Sequence, residues 1–179
     1  MNVLFENVAI RQNIVKPYLL RCGADPLGQR KLPSYDDLKP IDDLRERMLG
    51  YIPGDYPKAT KDAKYTLIWP KLAEAFSEAK WIIVRRDKDK IVDSCLRERT
   101  SEGFGRFMSA SDDPAYWRHW VEEHERRFCD MMKALPSVIQ VWTDGIVKDP
   151  TSFAAVAAFC GLDFDHAKVE ACINRKLWH

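Results

Sequence analysis

The chain has few of the features that usually announce a function. No apolar stretch in its 179 residues approaches the roughly 20 needed for a membrane-spanning helix, so no membrane partner is expected. The N-terminal residues do not form the basic-then-apolar pattern of an export signal. Charge of neither sign dominates: 28 Lys and Arg stand against 27 Asp and Glu, for a net +1. No global field therefore draws the protein to nucleic acid or to an anionic surface, and anion binding has to be local. Five cysteines (Cys22, Cys95, Cys129, Cys160 and Cys172) are scattered without a C-x-x-C pair. They read mostly as small core residues in a reducing cytosol, the expected location. Glycine is sparse, eight in all, and none falls in a phosphate-cradling G-x-x-x-x-G-K pattern. Internal repeats and low-complexity tracts are also missing.

What is present is ordinary globular composition, 46% hydrophobic and 31% charged, with one unusual junction. Trp81-Ile82-Ile83-Val84 reads as a buried strand and ends abruptly in Arg85-Arg86-Asp87. An amphipathic helix follows over about 88–99, with Ile91, Val92, Cys95 and Leu96 on one face and Ser94 on its flank. Strand ends and the first turns of the next helix face the same crevice, a common place for anions. The arginine fork matches phosphate oxygens, and a serine hydroxyl adds a hydrogen bond. A phosphate-bearing ligand held by Arg86 and Ser94, with Arg85 beside them, is the leading expectation. The plainer alternative pairs Arg86 with Asp87 or Asp89 and leaves Ser94 on a helix surface.

Periodicity and breakers lay out the rest. A helix is expected over 2–21, bent at Pro17. Loops follow, with a short helix capped by Ser34 or Asp36 through Leu38, and a helix over 42–49 stopped by Gly50. A helix over 66–78 precedes the strand at 80–85. Asp113-Pro114 opens a long helix carrying Trp117, Trp120, Val121, His124 and Phe128 at helical spacing. A second strand spans 137–142, and a third is a weaker candidate near 57–60. Asp149-Pro150 starts a helix closed by Gly161, and a last helix covers about 165–173. Strands alternating with helices give an α/β class: helix-rich, with a small parallel sheet flanked by helices, in one domain over 1–179.

Several segments, in order, resemble the PAPS-dependent sulfotransferases, enzymes that use 3′-phosphoadenosine 5′-phosphosulfate. The strand-Arg-Asp-x-x-x-(apolar)₂-x-Ser pattern resembles their 3′-phosphate-binding segment, with Arg86 and Ser94 at the matching positions and Arg85 on the variable residue. Lys61-Asp62-Ala63-Lys64, then Leu67 to Pro70 and Glu74 to Lys80, is similar to the approach to the arginine strand. Val138 to Trp142, the loop Thr143 to Pro150, and Phe159-Cys160-Gly161-Leu162 resemble the closing strand, the glutamate-aspartate-leucine loop and the last helix end. The resemblance covers about 58–179; residues 1–57 form a helical N-terminal part.

This resemblance implies an incomplete P-loop-like architecture and sulfuryl transfer from PAPS to an unknown hydroxyl or amine. Adenosine 3′,5′-bisphosphate would be the product nucleotide. Lys61 would approach the sulfuryl group, with Lys64 and Arg175 as further contacts to the nucleotide. Ala63 stands where one branch has a catalytic histidine, so that base is not carried over. The family's glycine-rich loop has no counterpart, which makes the chain read as a sulfotransferase without its front end and inactive alone. The family's missing first strand implies exposed sheet edges and homo-oligomerisation through them. The rival reading is a non-catalytic domain that binds a nucleotide or a protein. A metal hydrolase is disfavoured, because His119 and His124 lie about 140° apart around a helix. Glu122 and Glu123 read instead as a solvated stripe with Arg126 and Arg127.

Overall fold

A computed structural model describes residues 7–52, 59–100 and 108–173, without side chains at 98–100. The chain divides into two compact units, Met1–Ser77 and Glu78–His179. The division falls inside the segment that carries the resemblance.

The first unit is helical among its described residues. Asn7 caps the opening helix by accepting the Ile10 N–H. The helix runs as α1 (Val8–Ile10), a π-helical stretch (Arg11–Val15) and α2 (Lys16–Arg21). Where the sequence predicts a bend at Pro17, the structure widens the preceding turn. Proline has no N–H for the carbonyl of Asn13, four residues back, and its ring crowds that carbonyl. The π turn instead joins Lys16 N–H to Arg11 O, and Arg47 Nη2 reaches Asn13 O at 3.4 Å. The short helix expected through Leu38 is a single turn. Ser34 and Asp37 exchange side-chain-to-backbone bonds, and Pro40 blocks further winding. Helix α3 (Leu44–Leu49) starts two residues later than expected because Asp43 is left-handed, φ 53°. Helix α4 (Tyr65–Ala75) buries Leu67, Ile68, Trp69 and Leu72. Gly28 is required by geometry: its φ is +69°, and a Cβ would lie 2.9 Å from Leu67 Cδ1.

In the second unit, β1 (Trp81–Arg85) and β2 (Val138–Trp142) form a two-stranded parallel sheet, Trp81 opposite Val138 through Arg85 opposite Trp142. The coarse α/β class is thus present, as a small parallel sheet in a helix-rich chain. Of the suggested third strand, 57–58 lie outside the described residues and 59–60 are not in a strand. Between the strands run α5 (Lys88–Thr100) and α6 (Pro114–Ala134). Val92 and Cys95 of α5 pack with Trp117 and Val121 of α6, flanked by Ile91 and Leu96, the face that the periodicity predicts. Asp113 caps α6 as expected, accepting the Ala115 N–H.

After β2 come α7 (Thr143–Lys148), a 3₁₀ turn (Pro150–Phe153), α8 (Ala154–Cys160) and α9 (His166–Cys172). Gly161 closes α8 in the left-handed conformation, φ 73°. Four expectations are corrected. The segment after β2 is helix rather than loop, since α7 winds for six residues until extended Asp149 precedes Pro150. The β1 strand is only partly buried: Ile83 is covered, whereas Ile82 is 41% and Val84 57% exposed. Arg127 is not solvated but 2% exposed. Of the cysteines only Cys22 and Cys95 are buried; Cys129 and Cys172 are exposed. Among the described residues no helix is long and apolar enough to cross a membrane.

Candidate functional site

Both strands end side by side and each runs almost at once into a helix, β1 into α5 and β2 into α7. Parallel pairing puts their carboxyl ends at the same edge, so the residues at 85–90 and 143–144 converge there. Thr143 Oγ1 pins the junction by donating to Arg85 O at 3.0 Å.

The two arginines have different surroundings. Arg85 is paired with Glu125 of α6 through Nη2, and its Nη1 donates to Gln140 Oε1 at 2.9 Å. Its guanidinium lies 4.7 Å from the Trp142 ring centroid. Arg85 is thereby built into the sheet face. Arg86, half-buried with its Nε sealed from solvent, lies near enough to Asp144 for its charge to act on that carboxyl.

Helix α5 opens on Asp87, whose Oδ1 accepts the Lys90 N–H at 3.0 Å. Asp144, from the first turn of α7, reaches into the same place. Its Oδ2 accepts the Asp87 N–H at 3.3 Å, and its Oδ1 accepts Lys90 Nζ at 2.5 Å. The bond from Lys90 is the main influence holding the Asp144 carboxyl below its usual range; burial opposes it, and the Asp87 N–H and the Arg86 charge add to the lowering. Ser94 lies one turn beyond Lys90 on the same side of α5, roughly 9 Å along the axis from the first residue of the helix. The donors at this junction suit an oxyanion, and a carboxylate of the chain itself is bound to two of them.

Lys61 and Lys64 belong to the first unit. Lys61 is exposed. Lys64 is engaged close to home, where its N–H bonds Asp62 Oδ1 at 2.9 Å and its ammonium lies 3.5 Å from the same oxygen. Asp62 thus organises the turn into α4 from an almost wholly buried position. Burial lowers the Lys16 ammonium below its usual range, and the charges of Lys64 and Arg11 act in the same direction. Arg175 lies outside the described residues. Among the described residues no group of three His, Cys, Asp or Glu side chains gathers as a metal site.

Reasoning from sequence does not single out Lys90, Asp144 or Glu125. Lys90 has a signal, because it sits four residues before Ser94. Glu125 has none and Asp144 only its place in the segment after β2, since their partners are 40 and 54 residues away. Comparison with protein families, characterised proteins and solved structures gives no match.

Proposed function

We propose that the chain is sulfotransferase-like and that the junction between β1 and α5 binds the 3′-phosphate of a nucleotide such as PAPS or adenosine 3′,5′-bisphosphate. Arg86 supplies the guanidinium, Ser94 a hydroxyl and Lys90 an ammonium. The observation that carries this reading is Asp144: an oxyanion already sits on the Asp87 N–H and the Lys90 ammonium beside Arg86. Donors arranged for a carboxylate suit a phosphate, which has more oxygens and more charge. The parallel strand ends supply the crevice in which such ligands are found.

Sulfuryl transfer to a hydroxyl or amine acceptor is the reaction such a site would serve. Positioning and charge stabilisation dominate that kind of chemistry. The sequence contains no glycine-rich loop to cradle the 5′-phosphosulfate, so the first experiment reads binding rather than turnover. Adenosine 3′,5′-bisphosphate is titrated calorimetrically into the protein and into Arg86→Ala. Saturable binding that disappears in the variant supports the site. Binding that is indifferent to Arg86 removes this site as the place where the nucleotide is held, and so does an absence of binding that persists when Asp144 is replaced.

A further inference from the structure

We propose that Asp144 is a built-in competitor for this anion site, an autoinhibitory carboxylate that an incoming phosphate must displace. The inference rests on the reading of Arg86 and Lys90 as phosphate ligands. Its own basis is the geometry of Asp144. One carboxylate oxygen takes the Asp87 N–H just before α5, and the other takes the Lys90 ammonium in the first turn of that helix. A phosphate on the same donors would meet the Asp144 charge at contact distance, and two anions cannot share one ammonium without mutual repulsion.

The contact is also built to open. The Asp144 side chain is 33% exposed and that of Lys90 47%, so rotation of the carboxylate into water uncovers no apolar core. The backbone of Asp144 is fixed independently, because Thr143 Oγ1 is tied to Arg85 O and β2 pairs with β1 up to Trp142. Release is therefore a side-chain event, with the two strands and the start of α5 in place throughout. One ammonium serves either the internal anion or the external one, and ligand charge decides which. A phosphate monoester dianion outcompetes the carboxylate more readily than a monoanionic diester does.

The test is calorimetric titration of adenosine 3′,5′-bisphosphate into the full chain, Asp144→Asn, Asp144→Ala, Arg86→Ala and the double variant Arg86→Ala with Asp144→Asn. Asp163→Asn, at an exposed residue of the same unit, controls for the change in net charge. Removing the competitor tightens binding by about fivefold, the effect of losing one exposed ion pair, and the gain vanishes when Arg86 is absent. Binding by Asp144→Asn alone, with none by the unaltered chain, supports the proposal more strongly still. Arg86-dependent binding that is unchanged or weaker in both Asp144 variants overturns the competitor while leaving the site standing. An equal gain in Asp163→Asn overturns it too, as a general charge effect. No binding by the chain or by either Asp144 variant overturns the site and the competitor together.

Discussion

His124 makes the second unit sensitive to mild acid. The imidazole lies on α6, 8% exposed, with its ring centroid 3.9 Å from that of Trp120. Its Nδ1 is 2.8 Å from Trp120 O; a carbonyl only accepts, so Nδ1 carries the hydrogen. Burial pushes its pKa down from 6.5 to about 4; the bond to Trp120 O opposes the shift, the Arg127 charge adds to it, and the Glu123 charge opposes it. The group is neutral in the folded chain and protonates more readily in the unfolded chain, so the unfolded state binds the extra proton between those two values. Stability attributable to His124 is complete above about pH 6.5 and is lost as pH falls toward 4. Linkage between pH 7 and pH 5 gives a loss of about 2 kcal/mol. The assay is urea unfolding at both pH values for the protein and for His124→Phe, which keeps an aromatic ring against Trp120. The unaltered chain should lose about 2 kcal/mol more than the variant between the two conditions. Identical pH dependence in the two proteins would refute the reasoning.

Three further outcomes follow from packing and can be read from urea midpoints. Trp117→Ala removes a fully buried ring from the core between α5 and α6 and should cost about 3–5 kcal/mol. Glu125→Ala leaves the guanidinium of Arg85 without its carboxylate and should cost about 3 kcal/mol, much of it recovered when Arg85→Met is added; no recovery would mean that the cost lies in lost packing of α6. Gly28→Ala forces a side chain into a left-handed backbone and against Leu67, for a loss of about 1–3 kcal/mol; an unchanged midpoint would show that the turn relaxes freely.

Local features are legible in the sequence. The α5 face, the Asp113-Pro114 start of α6 and the Gly161 stop of α8 are each written in a few neighbouring residues, because caps and periodicity act over one or two turns. The strand-to-helix junction is legible for the same reason. Features set by distant partners are not. Arg127 looks solvated in a run of charged residues, and only the fold buries it. Glu125 finds Arg85 across 40 positions, and Asp144 finds Lys90 across 54. The apolar run of β1 overstates its burial, because such a run cannot say how many strands will flank it. Helix α7 escapes a reading of its residues because Gly145 and Val147 favour other conformations locally, whereas the helix forms directly from the end of β2.

The parallel pairing of β1 with β2 also sets a clock on synthesis. Trp81 is opposite Val138, so the partner of β1 is translated 57 positions later. At ribosomal speeds of 5–20 residues per second, β1 waits roughly 3 to 11 s before β2 exists. During that interval Trp81, Ile82, Ile83 and Val84 form a short β-prone segment with no strand of its own to pair with. Neighbouring nascent chains carry the same segment. Crowding of nascent chains on a polysome therefore acts on this segment within a window that closes once β2 has been made.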